Sequence, residues 1–265
     1  MYESNTVIGA LRARIARLEG ARVSESAVTV ALGHREIDAR LDGGLARGRL
    51  HEVFASEEED AGAGAGFAAM LAHLVGCVAD RTGAVVWLRQ EEADAKAPLH
   101  GPGLAELGFD PAGLVLGLLP DALSVLRVAA EVVRCADVGA VVIELWRAPR
   151  ALDLTASRRL AVAAAGSGVT ALLLRILAEP SASAAHTRWQ VRSAAAVPLA
   201  ANAPGFPTLD VELSRQRGGK AGGRWCVEWD RDQAIFRAAG SQAALSGAVV
   251  SVPAGRPAGT AWRAG

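Results

Sequence analysis

Short apolar runs rich in Val and Leu alternate along the chain with stretches of helical period. The runs at 50–54, 84–88, 114–118, 140–145 and 169–174 are mainly apolar, with His51 and Glu52 interrupting the first, as in strands covered on both faces. Between them, 67–79, 103–107, 123–135 and 156–165 repeat their apolar positions at helical spacing,. Strand and helix in alternation predict a largely parallel sheet with right-handed crossovers. After Pro180 the period becomes two. Residues 187–193 and 209–215 alternate, and Gly218-Gly219 with Gly222-Gly223 turns the second run into 225–229,. The expected fold class is therefore α/β: a mostly parallel sheet flanked by helices, extended by antiparallel C-terminal strands.

The ends follow other rules. Ile8, Leu11, Ile15 and Leu18 fall on one helical stripe, with Arg12, Arg14 and Arg17 elsewhere around the wheel, so an N-terminal amphipathic helix is expected,. Gly20 and Ser24-Glu25-Ser26 break it. Val28 to Gly33 reads as a short extended segment before the Gly43-Gly44 turn,. From 240 to 265 the chain is chiefly Ala, Gly, Ser and Pro with little to bury, and a flexible tail is expected,. The organisation predicted is a helix over 1–22, a core over 23–239 and a tail over 240–265.

A length of 265 with 51% hydrophobic and 21% charged residues suits one α/β domain with small appendages,. No apolar stretch reaches the roughly 18 residues of a membrane span, and no secretory signal is visible, so a cytosolic protein is expected. Lys+Arg and Asp+Glu each total 28. Any contact with DNA must then come from a local patch. Cys77, Cys135 and Cys226 lie far apart and read as small buried hydrophobes,. His34, His51, His73, His100 and His186 are scattered without metal-ligand spacing, and no serine sits in a nucleophile elbow,.

The most informative segment joins the first apolar run to the following helix. Glu57, Glu58, Glu59 and Asp60 precede Gly62, Gly64 and Gly66, with no lysine among them. A phosphate loop needs a lysine on the β/γ-phosphates and a hydroxyl on Mg²⁺. At an effective dielectric of about 20, a carboxylate roughly 5 Å from a phosphate charge opposes binding by about 3 kcal/mol. The acids read as a solvated loop, a partner contact or a metal site.

The surrounding residues carry a family resemblance. Leu41-Asp42-Gly43-Gly44-Leu45 and Leu50-His51-Glu52-Val53 resemble the entry to the core of RecA-like ATPases. The stretch from Val211 to Trp229, with its two glycine pairs, resembles the closing hairpin of the ImuA family of bacterial RecA paralogues, and the match spans about residues 5 to 237. The resemblance implies a RecA-like fold and a non-catalytic accessory role in SOS-induced, error-prone translesion DNA synthesis. The implied partners are an ImuB-type Y-family polymerase relative, an error-prone C-family polymerase and, as a further contact, RecA, with the protein meeting the nucleoid when engaged. Glu144 stands where active RecA-like ATPases carry the metal-holding Asp of the Walker B strand. The catalytic Glu of such enzymes has three candidates here, Gln90, Glu91 and Glu92, and the register between them stays open. No cofactor and no metal are expected.

Two interaction sites are candidates. Ile8, Leu11, Ile15 and Leu18 either fold back on the domain or enter a partner's groove. Arg215, Arg217, Lys220 and Arg224 gather around the glycine turn beside Trp225 and Trp229, a combination that suits single-stranded DNA, although Asp210, Glu212, Glu228, Asp230 and Asp232 largely cancel it,. The competing readings are a divergent DNA-dependent ATPase, a single-stranded DNA-binding module and an SOS cell-division inhibitor.

Overall fold

A computed structural model describes residues 28–76, 83–199, 201, 203–220 and 222–240. The stripe of Ile8, Leu11, Ile15 and Leu18, the tail from 241 onward and Cys77 lie outside the described residues.

The chain opens with a two-stranded ribbon, β1 (Thr29–Val30) against β2 (Leu45–Ala46), enclosing helix α1 (Arg35–Arg40). His34 caps α1 by accepting the N–H of Ile37,. Strand β3 (Leu50–Ala55) then leads through a 3-10 turn (Glu58–Asp60) into α2 (Ala61–Gly76). Next come β4 (Ala84–Gln90), α3 (Glu91–Lys96), α4 (Gly101–Glu106), β5 (Leu114–Leu119), α5 (Ala122–Val132), β6 (Val138–Trp146), α6 (Leu154–Ser167) and β7 (Thr170–Ile176). Four further strands close the described chain: β8 (Thr187–Ser193), β9 (Thr208–Gln216), β10 (Arg224–Asp230) and β11 (Ile235–Ala238).

One sheet of nine strands results, in the order β11-β10-β9-β8-β3-β7-β6-β4-β5. From β8 through β5 the neighbours are parallel; from β8 to β11 they are antiparallel. The expected fold class thus holds, including the change of pairing after Pro180. Chain order reverses about β3, because the path leaves it for β4 on one side and later returns to β8 on the other.

Helix α2 covers one face of the sheet. It is apolar almost all round, the pattern of a helix enclosed by its neighbours, and Phe67, Met70, Leu71 and Val75 are buried. The antiparallel strands add to the same core: the Phe67 ring lies 5.7 Å from Trp189 and 5.4 Å from Phe236, and Trp229 lies 4.9 Å from Phe236. Helices α5 and α6 cover the opposite face, around Leu50, Val86, Val125 and Leu160. Phe236 donates its N–H to the carbonyl of Leu32 at 2.7 Å, joining the last strand to the opening ribbon.

Two local expectations need correction, and three short elements were not foreseen. Helix α2 begins at Ala61 rather than 67, because close packing on the sheet outweighs the helix penalty of its glycines,. The short α1, α3 and β11 carry too few apolar positions to show a period. Cys135 and Cys226 are exposed rather than buried; Cys226 falls on the outer face of β10, opposite Asp210 of β9.

Candidate functional site

The carboxyl ends of β3, β4, β6 and β7 form one rim of the sheet, where open α/β folds place their ligands. The loop from β3 to α2 is short and tied down. Glu57, Glu58 and Glu59 are exposed, but Asp60 is buried and accepts both the backbone N–H of Ser193 at 2.8 Å and its hydroxyl at 2.9 Å. The Ser56 hydroxyl donates to Gln190 at 3.3 Å. The loop is therefore fastened to β8, and one of its four acids is a structural anchor rather than a solvated charge.

Beside the loop, Glu144 on β6 is 1% exposed and fully engaged. Its Oε1 accepts from Arg89 Nη2 at 2.8 Å and from the Trp146 indole at 2.6 Å, and its Oε2 accepts from the Trp87 indole at 2.8 Å. Arg89 also reaches Asp94 on α3 at 3.0 Å. Strand alternation puts Trp87 and Arg89 on one face of β4, and Glu144 and Trp146 on one face of β6, so the four converge. To coordinate a cation, this carboxylate would have to exchange three hydrogen bonds already made. Glu91 and Glu92 open α3 and are exposed, with Glu92 2.5 Å from Lys96.

Between this network and α2 lies a cleft of about 390 Å³, lined mainly by apolar groups including Trp87, Trp146, Met70, Leu104, Gly62 and Gly66. Gly62 and Gly66 face open space, whereas a Cβ on Gly64 would sit 2.9 Å from the Ala55 side chain. The small residues thus serve two ends: Gly64 lets α2 approach β3, while Gly62 and Gly66 leave room beside the rim.

The run Leu50-His51-Glu52-Val53 anchors the first strand on both faces. His51 is fully buried, its Nε2 2.8 Å from the Ala46 carbonyl and its Nδ1 2.7 Å from the Thr187 hydroxyl. A carbonyl only accepts, so Nε2 carries the proton and Nδ1 accepts from Thr187. Removal from water lowers the His51 pKa to about 3. On the other face, Glu52 accepts from Arg188 at 2.9 Å and from Ser183 at 2.7 Å.

The residues around the glycine turn differ in their partners. Arg224 pairs with Asp210 through Nε at 2.8 Å and a second contact from Nη2. Arg215 donates to the Ser183 carbonyl at 2.8 Å, while Arg217 and Lys220 are exposed. Trp229 is completely buried and donates to the Leu107 carbonyl at 2.8 Å; Trp225 donates to Glu36 on α1 at 3.0 Å. The turn therefore presents two basic residues, Arg217 and Lys220, without a side-chain partner among the described residues, beside one partly exposed indole. The Trp87, Arg89 and Trp146 contacts to Glu144 had no signature in the linear pattern beyond alternate positions on two apolar strands.

The mostly parallel nine-stranded sheet, its flanking helices and its antiparallel C-terminal strands define an α/β protein. No family model matches the chain. Over 222 residues it is 35% identical to Protein ImuA of two Caulobacter vibrioides strains, NA1000 and CB 15, covering 75% of this chain and 82% of the relative. The chain belongs to the ImuA family. Among the described residues, no helix is long and apolar enough to cross a membrane.

Proposed function

We propose that this protein is a non-catalytic adaptor of error-prone translesion DNA synthesis. It would hold an ImuB-type Y-family polymerase relative, and through it an error-prone C-family polymerase, at damaged DNA. The observation that carries the reading is the state of Glu144: a carboxylate at the Walker B position is spent on two indoles and a guanidinium. The acidic, lysine-free loop supports the same conclusion, because its charge opposes a triphosphate. A scaffold can outlast its chemistry, since packing and phosphate binding use different residues.

Two measurements test it. Titration of a fluorescent ATP analogue with Mg²⁺ should give no saturable binding, and micromolar affinity would defeat the non-catalytic reading. Co-expression with the ImuB-type partner should yield a complex that survives purification; its absence under gentle conditions would defeat the adaptor reading.

The single-stranded DNA reading has less support. Trp229 cannot stack with a base while buried, and Arg224 is neutralised by Asp210.

A further inference from the structure

The two edges of the sheet differ. At one edge, β11 has four residues, and its Arg237 pairs with Asp230 at 2.9 Å and approaches Glu228 at 3.6 Å. Shortness and charge are the usual protections of an edge. At the other, β5 has six residues, Leu114-Val115-Leu116-Gly117-Leu118-Leu119, with no charge or proline. One side of β5 bonds to β4 from Leu114 opposite Val85 to Leu119 opposite Gln90, and no described strand pairs with the other side.

Among the described residues, several side chains of this edge are about half exposed. Val115 is 54% exposed, Leu116 42% and Leu118 43%, and Leu123 in the first turn of α5 is 45% exposed. These are four of the eight large hydrophobic residues exposed among the described ones, so the patch is concentrated rather than scattered,. Both faces contribute, since Leu116 and Leu118 point with Leu114 toward the α2 side and Val115 toward the α5 side,. Asp110 and Asp121 bracket the strand and are both exposed, and Glu91 and Glu92 lie on α3, which packs against it. Glu92 is paired with Lys96 and also feels Arg147, and Asp121 feels Arg127, which leaves Asp110 and Glu91 without a cation partner among the described residues; Asp110 and Asp121 each also accept a local backbone N–H, from Ala112 and Ser124.

We infer that β5 receives an extended segment of a partner protein, apolar at alternate positions and carrying Lys or Arg just beyond its ends. The free backbone row specifies a strand. The exposed Val and Leu side chains specify apolar partners, and the acidic brackets specify basic flanks. An edge six residues long offers a ladder of roughly 20 Å. The inference rests on the adaptor reading for the kind of partner, but not for the existence of the edge site.

The test uses the full chain and a fluorescein-labelled peptide with an alternating Val-Thr core and lysine ends. Saturable anisotropy is expected, with affinity about tenfold lower for a glutamate-ended peptide and for Leu116→Lys, as for the loss of a few local contacts. Val115→Lys, on the other face, should weaken binding similarly, with unchanged thermal melting showing that each variant is folded. Hydrogen exchange should slow over 114–119 on peptide addition. Absent binding, equal binding by both peptides, or protection elsewhere would overturn the inference. So would a concentration-dependent dimer abolished by Leu116→Lys, which would make the edge a contact between copies of this chain. Co-purification with the ImuB-type partner, scored separately for wild type and Leu116→Lys, distinguishes the two failures. Loss in wild type removes the adaptor reading, whereas retention in a variant that no longer differs in peptide binding removes only the edge site.

Discussion

Trp87 on β4 donates its indole N–H to Glu144 on β6 across 2.8 Å, in a core where Glu144 is 1% exposed. With Trp146 and Arg89 completing the set, this carboxylate holds two adjacent strands and, through Asp94, the start of α3. Removing one member of a buried pair leaves the other charge unpaired. Glu144→Ala should therefore destabilise the fold by about 3–5 kcal/mol, and Trp87→Phe by about 1–3 kcal/mol. Urea denaturation midpoints measure both. A loss below about 1 kcal/mol for Glu144→Ala would mean that the network is not structural.

The buried His51 gives stability a pH dependence of fixed sign. Its pKa is about 3 in the folded chain, against an ordinary 6.5. Between those values the unfolded chain binds a proton that the native chain excludes, so stability falls as the pH is lowered from 6.5 toward 3,. At pH 5 the loss amounts to about 2 kcal/mol. Burial also lowers the pKa of His73 and His186, adding in the same direction. Urea titrations at pH 7 and 5 should show a smaller difference for His51→Gln than for wild type.

Three glycines in one helix should respond in opposite senses. Around Gly62 and Gly66 there is open space, so alanine at either position should raise stability by about 0.5–1 kcal/mol,. At Gly64 a methyl group would press on Ala55, and alanine should cost about 1–3 kcal/mol,. Thermal midpoints of the three single variants give the comparison.

Asp60 links the β3-α2 loop to β8 through two hydrogen bonds from Ser193. Asp60→Ala removes the acceptor of a part-buried N–H and of a hydroxyl and should cost about 1 kcal/mol,. Hydrogen exchange at the Ser193 amide should accelerate. By contrast Arg224→Ala, which removes an exposed pair with Asp210, should change stability by less than about 1 kcal/mol,.

Much of the sheet was legible because strands covered on both faces are mostly apolar; β5 departs from the expectation, since it is apolar but half exposed at the edge of the sheet. Residues 187–193 were expected as a strand and form β8 with the same bounds. The change of period after Pro180 marked the antiparallel extension, since its outer face meets water. The start of α2 was hidden because glycine signals a loop locally, whereas Gly64 is there to let a helix approach β3. The site was less legible still. Glu144 was visible as an acid at a strand end, but its partners Trp87, Arg89 and Trp146 come from two strands brought together by pairing of β4 with β6. For Arg215 and Arg224 the chain spacing did not show their partners, the Ser183 carbonyl and Asp210, because strand pairing brings these within reach.

The hydrogen bond from Phe236 to Leu32 makes the described chain nearly circular. The edge strand β11 and the segment after β1 therefore lend each other a backbone partner, so the two should fray together and not one at a time,.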